Sequence, residues 1–172
     1  MTLASPAEWS LDSSVRYLNH GSFGAVPREV ARVQDAIRSE MEHNPNQFFR
    51  SRLPALLADA RAKCATSLGV TASELAFVPN ASQGVIAAAA SVVRRGTKIA
   101  TMSSNYGGVV LGLRSLASRA DATLRELPSL PPSQATPATC VAEVVDQLGD
   151  ADVLVIDQIV ATSAQLNPVA EI

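Results

Sequence analysis

Lys98-Ile99-Ala100-Thr101-Met102-Ser103-Ser104-Asn105-Tyr106-Gly107-Gly108 decides the fold class. An apolar run predicts a strand over 98–102, a polar turn follows it, and 106–117 predicts a helix. The alternation continues in both directions. Upstream, Leu75-Ala76-Phe77-Val78 reads as a short buried strand and 82–93 as a helix. Downstream, 123–127 reads as a third strand and 129–137 as a loop rich in Pro, Ser and Thr. A helix is expected over 138–148 with Val141, Val144, Val145 and Leu148 inward. Val153-Leu154-Val155-Ile156 is the most strand-like run in the chain. Strands that alternate with helices build β–α–β units, hence a mainly parallel sheet covered on both faces. The expected class is α/β, a three-layer αβα arrangement. No internal repeat is visible.

The region before this alternation has a different character. Residues 1–26 read as an N-terminal arm with little regular structure, and 27–172 as the domain proper. Pro27 opens a helical stripe of Val30, Val33, Ile37 and Met41, proline being suited to a first turn. His43-Asn44-Pro45-Asn46 breaks that helix. A second stripe, Leu53, Leu56, Leu57, Ala60, Cys64 and Leu68, ends at Gly69, a suitable C-terminal cap.

The chain has 172 residues, 47% of them hydrophobic and 17% charged, with a net charge of −2. That is enough for one sizeable core, and one domain is the expectation from length. A slightly acidic balance without Lys/Arg clusters argues against nucleic acid and anionic membrane as partners. The longest apolar run, 84–93, is too short to span a bilayer and reads as a buried helix. No basic leader precedes an apolar stretch, so a cytoplasmic protein is expected. Cys64 and Cys140 form no metal or redox motif, and Cys64 is expected as a core thiol on an apolar helix face.

Ligands of open α/β sheets bind beyond the carboxyl ends of the strands. In Pro79-Asn80-Ala81-Ser82-Gln83-Gly84, Ser82 is placed to cap the following helix, and the free amides after it form an anion site that suits a phosphate. A plain cap with no ligand is the simpler reading of those residues alone. Tyr106, just past a strand end, either stacks on a planar ligand or packs against a helix start; stacking contributes roughly 0.5–1.5 kcal/mol beyond burial. In Asn19-His20-Gly21-Ser22-Phe23-Gly24-Ala25-Val26-Pro27, two glycines flank Ser-Phe, which suits a surface loop or a close approach to a ligand or another chain. His20, a lone loop histidine, reads first as a hydrogen-bonded structural residue.

The run from Tyr17-Leu18-Asn19-His20 to Gly24-Ala25-Val26-Pro27 resembles the N-terminal signature of class-V aminotransferase-fold enzymes. The similar branch is isopenicillin N epimerase-like and cysteine desulfurase-like. The resemblance extends from about Val15 to Ile172 and matches the first half of a family member. It implies the N-terminal half of the large domain of a fold-type-I enzyme, with pyridoxal 5'-phosphate as cofactor. Ala81, Ser82 and Gln83 match the turn that holds the cofactor phosphate through amides and a hydroxyl. Tyr106 matches the aromatic that covers the pyridine face. Asn19 and His20 match an arm that approaches the substrate, often across a dimer interface.

The sequence also departs from the family pattern. Asn105 stands where an acidic residue is common. Val160 and Ala161 replace a polar Thr-Ser pair facing the cofactor or substrate, although the Pro168-Val169 ending is shared. Register against that ending argues that Asp157 is not the carboxylate pairing with the pyridine nitrogen, which belongs to a following strand.

Family chemistry starts from a Schiff-base lysine. The two lysines here, Lys63 and Lys98, read as the solvated flank of a helix and the amino end of a strand, and neither matches the family's lysine. No residue of this chain is therefore expected to be catalytic. The expectation is one subunit of a split heterodimeric enzyme, inactive alone, acting on a small amino-acid substrate at Cα or Cβ as an epimerase or carbon–sulfur lyase. A complementary polypeptide carrying the C-terminal half of the fold would supply the lysine. A fragment, or a non-catalytic binding or scaffold subunit, are the alternatives; Val160 and Ala161 favour the scaffold.

Overall fold

The computed structural model describes residues 5–172, so the first four positions of the expected arm lie outside the described residues. These residues form two compact units, divided between Phe77 and Val78.

The first unit is helical. Ser5 and Glu8 cap a single 3₁₀ turn reciprocally, and a turn closes where Phe23 N–H donates to the Asn19 carbonyl at 3.0 Å. Pro27, fixed at φ −59°, precedes helix α1 (Arg28–His43). The expected break is real. Asn44 leaves helical geometry at φ −151°, and its side chain caps the short α2 (Pro45–Gln47). A π-helical turn, Phe48–Arg52, leads into α3 (Leu53–Leu68), which ends at Gly69 with φ +71°. That left-handed conformation is why a glycine stands there.

Two expectations fail in this unit. Cys64 is exposed, and Ala65 is the buried residue of α3. One position is a rotation of about 100° on a helix, so the buried line of α3 lies beside the predicted stripe rather than along it. No strand forms at 75–78 either. A capped 3₁₀ turn, Ala72–Glu74, gives way to extended chain without a ladder partner among the described residues. Phe77 and Val78 are about half exposed.

The second unit carries the sheet. Strands β1 (Lys98–Met102), β2 (Thr123–Leu127) and β3 (Val153–Val155) are parallel, in the order β2-β1-β3. The last strand stops one residue before its predicted end. At the amino edge, Lys98 N–H donates to the Asp152 carboxylate and Asp152 N–H to the Lys98 carbonyl, each at 2.8 Å, which fixes the β1–β3 register.

Helices α4 (Ala81–Val92) and α5 (Gly107–Ala120) cover one face, where Ala89, Val93, Val109 and Leu113 pack with Ile99 of β1. Helix α6 (Pro137–Leu148) covers the other, where Val144 packs with Ala100, Met102 and Leu127. The faces therefore alternate along β1, as a strand buried on both sides requires. Each large apolar side chain fully buried here stabilises by about 1.5–3 kcal/mol. Val145 does not join them: it is 54% exposed, contrary to the inward position its spacing predicted.

A Cβ on Gly112 would lie 2.7 Å from Ile86, so the α4–α5 contact depends on this glycine. The loops that follow the two helices also meet, Gly96 N–H donating to the Asp121 carbonyl at 2.8 Å. The helices therefore run in the same direction, and both begin at the carboxyl edge of the sheet. From β1 the chain steps to β2 on one side, then crosses back to β3 on the other. That reversal makes the carboxyl end of the β1/β3 pair the topological switch point, where open parallel sheets bind ligands.

Candidate functional site

At the switch point the turn after β1 is stitched to the segment after β3. Asn105 is buried and uses its whole amide. Its Nδ2 donates to Thr101 Oγ1 at 2.9 Å and to the Val155 carbonyl at 2.8 Å, and its Oδ1 accepts the Asp157 N–H at 3.1 Å. Asp157 in turn accepts the Tyr106 N–H on Oδ2 at 2.9 Å. Asn167, also buried, donates to the Asp157 carbonyl at 2.7 Å. Buried polar groups that are fully partnered rigidify a site. Sequence reading passed over Asn105 as a minor departure and found no role for Asp157; the structure makes them the centre of this edge.

Tyr106 stands at the start of α5 with its ring 56% exposed at the carboxyl edge. Its surface is available to a planar ligand.

The α4 turn needs a correction. Asn80, not Ser82, caps the helix: its backbone is extended at φ −162°, and its Oδ1 accepts the Gln83 N–H at 2.9 Å. Ser82 occupies the second helical position. The reason is chemical redundancy, since Asn and Ser are comparable caps and the backbone leaves extended geometry at the earlier one. With Gln83 satisfied by the cap, the Ala81 and Ser82 N–H groups have no acceptor among the described residues.

The other helix starts differ. Helix α5 has the Asp157 carboxylate on its Tyr106 amide, a charge that opposes an anion. Helix α6 begins with Pro137, which has no N–H, and Thr136 accepts from Thr139 N–H. Helix α4 presents two free amides with no acidic residue in its first turn and, among the described residues, no carboxylate bonded to its start. Anions are stabilised at such a start by the helix dipole and the free donors together.

Asn19 and His20 lie in the first unit. His20 packs against Trp9 and Tyr17 at centroid distances of 5.2 and 4.9 Å, and its Nδ1 accepts the Ala25 N–H at 3.4 Å. With Nδ1 accepting, the neutral ring carries its proton on Nε2. Asn19 contributes its carbonyl to the turn before Gly24.

Neither lysine is one of the switch-point groups. Lys63 is an exposed partner of Asp59 on α3, in the first unit. Lys98 begins β1, at the opposite edge of the sheet, and is ion-paired with Asp150. The bond to Asp150 raises Lys98 above the ordinary lysine range and holds Asp150 below the usual carboxylate range. Val160 is buried at 2% exposure inside a narrow hairpin, so it fills core, while Ala161 is exposed. Among the described residues no cluster of His, Cys, Asp or Glu is placed to hold a metal ion, and no helix is long and apolar enough to cross a membrane.

This geometry has a close counterpart. The chain superposes on a cystine C–S lyase, C-DES, in a variant with glycine covalently linked to its pyridoxal-phosphate cofactor: TM-score 0.85, 17% identity, covering 98% of this chain and 44% of that one. The chain shares its fold with part of these fold-type-I pyridoxal-phosphate enzyme structures. No family model matches the chain. Among curated proteins, isopenicillin N epimerase of Amycolatopsis lactamdurans is 42% identical over 84 residues, covering 48% of this chain and 21% of that protein. A putative L-cysteine desulfhydrase of Oryza sativa subsp. japonica is 29% identical, covering 94% of this chain and 37% of that protein. The resemblance carried by the opening motif is thus borne out. The chain spans less than half the length of these relatives.

Proposed function

We propose that the chain is the cofactor-holding N-terminal part of a pyridoxal-phosphate enzyme acting on a small amino acid at Cα or Cβ, as an epimerase or carbon–sulfur lyase. The observation that carries this reading is the pair of free amides at Ala81 and Ser82, on a helix start that, among the described residues, neither a carboxylate nor a proline occupies. The relatives with an epimerase and a desulfhydrase name, and the fold shared with C-DES, support the same chemistry.

In this reading the Ala81 and Ser82 amides and the Ser82 hydroxyl bind the phosphate, with Gln83 completing the turn. Tyr106 lies over the ring, and the Asn105–Asp157 network keeps the floor between them rigid. Asn19 and His20 serve the substrate side. The cofactor, when bound, supplies an electron sink for a carbanion at the amino acid's Cα. Lys98 is ion-paired at the amino edge of the sheet and Lys63 is ion-paired on α3, so this reading takes the lysine that binds the cofactor covalently from polypeptide outside these residues. We assign it to a complementary chain carrying the C-terminal half of the fold, in a cytoplasmic heterodimer. Exposed apolar side chains in the second unit, Leu111, Ile159 and Leu166, each above 60%, suit an apolar interface of that kind.

A binding subunit without turnover is the second reading, favoured by Val160 and Ala161, which offer no polar group at that loop. Titration with pyridoxal phosphate and with phosphate-free pyridoxal tests the first. The phosphate form is expected to bind at least tenfold tighter; equal binding would defeat the cradle. Co-expression with a C-terminal half then tests the assembly, and a complex that binds cofactor but neither cleaves cystine or cysteine nor exchanges the Cα proton of amino acids in deuterium oxide would favour the second reading.

A further inference from the structure

The Tyr106 ring has no anchor of its own. Its hydroxyl makes no hydrogen bond among the described residues and its ring is more than half exposed, so its placement depends on what holds residue 106 and what lies beneath it. Resting on the reading of Tyr106 as the ring-stacking residue, we infer that Asp157 is a positioning residue for that ring and that Gly108 is the seat on which it lies.

The backbone is held from the β3 side. The Asp157 carboxylate takes the Tyr106 N–H, a charge-assisted bond that crosses from the segment after β3 to the start of α5. Asp157 cannot drift, because its own N–H is held by Asn105 and its carbonyl by Asn167. Asn105 is fixed in turn to Thr101 and Val155, on the two paired strands. The position of Tyr106 is thereby referred to the paired strands β1 and β3 rather than to its own loop alone.

The ring is held from below. A Cβ on Gly108 would lie 2.7 Å from Tyr106 Cε1 and 3.3 Å from Cδ1, so the ring rests across the first turn of α5 where only glycine leaves room. Gly107, one residue earlier, has open space around it, which makes the requirement specific to position 108. A ligand stacking on the outer face of Tyr106 would meet a ring already backed by the helix. Such preorganisation reduces the ordering cost of binding a planar aromatic ligand.

The chain contains two tyrosines, Tyr17 and Tyr106, so fluorotyrosine labelling gives two fluorine NMR signals that Tyr106→Phe assigns. Asp157→Ala and Gly108→Ala are each expected to shift the Tyr106 signal and leave Tyr17 in place. Asp157→Asn retains an acceptor oxygen and is expected to keep the Tyr106 signal near its original position. Pyridoxal phosphate affinity should fall by about two- to tenfold in Asp157→Ala, the range given by a weakened aromatic contact, and recover in Asp157→Asn. A Tyr106 signal unmoved by both Asp157→Ala and Gly108→Ala would overturn the inference. Should Asp157→Ala disturb both tyrosines by unfolding, Gly108→Ala decides alone: a shift confined to Tyr106 supports the seat, and none overturns it. A Tyr106 signal that responds to these variants but not to pyridoxal phosphate in the unaltered protein would defeat the stacking role while the positioning stands.

Discussion

Asn80 Oδ1 accepts the Gln83 N–H at 2.9 Å, and this single bond separates two roles that would otherwise be confounded in the α4 turn. The cap is one residue and the proposed phosphate contact is another. Asn80→Ala is therefore expected to cost about 1 kcal/mol of stability, seen as a lower denaturant midpoint. Ser82→Ala should leave that midpoint nearly unchanged. In the cofactor titration it should weaken binding by roughly tenfold or more, since a hydrogen bond to a charged group contributes about 1.5–3 kcal/mol. A Ser82→Ala protein with normal affinity would remove its hydroxyl from the cradle.

Reduction with borohydride in the presence of pyridoxal phosphate should label neither Lys63 nor Lys98 stoichiometrically. Lys63 is held by Asp59 on an exposed helix and Lys98 by Asp150 at the amino edge of the sheet. Peptide mass mapping reads the outcome, and full labelling of either lysine would contradict the assignment of the covalent lysine to other polypeptide.

Ala164 has φ +55°, in the left-handed region that an alanine Cβ disfavours by about 1–2 kcal/mol. Ala164→Gly relieves that strain against a smaller loss of chain entropy. A gain of a few tenths to about 1 kcal/mol is expected. Gly112→Ala goes the other way, because the new methyl would sit 2.7 Å from Ile86 and overpack the α4–α5 contact at a cost of about 1–3 kcal/mol. Urea unfolding of the two variants should move the midpoint in opposite directions.

Acid should weaken the fold at surface carboxylates such as Asp150 and Glu74. Hydrogen bonding to Lys98 holds Asp150 below the ordinary carboxylate range, and the Thr71 N–H does the same for Glu74. A carboxylate whose value is depressed in the folded state adds stability that is complete above its unfolded value. That stability is lost as pH falls through the folded one. Asp150→Asn should therefore flatten the decline of thermal midpoint below about pH 4 and leave it small, both groups being exposed. An unchanged acid slope would show that the pair contributes nothing.

Strands β1 and β3 were legible because each is a short, mostly apolar run between turn residues, and β2, which carries Arg125 and Glu126, was legible from its place in the alternation with helices. Residues 75–78 had the same composition and formed no strand, since a strand exists only with a ladder partner and composition does not supply one. Cys64 and Val145 show a related limit. Spacing locates a helical stripe, but which edge of it is buried depends on the neighbour that packs there. The phosphate turn was legible as a helix start, though its cap was placed two residues late. The Asn105–Asp157 pair left no local signal: two polar loop residues 52 positions apart meet only because β1 and β3 are neighbours.

The order β2-β1-β3 also sets a timetable for synthesis. The central strand leaves the ribosome first of the three, yet both its neighbours are encoded after it. No ladder can form until Thr123–Leu127 has emerged, and the β1/β3 crevice waits for Val153–Val155. Until α6 and the neighbouring strands have emerged, Met102, buried in the folded protein, lacks its cover on a nascent chain, the kind of exposure that recruits chaperones. Of the three strands described, the edge proposed to receive a cofactor is thus the last to be paired.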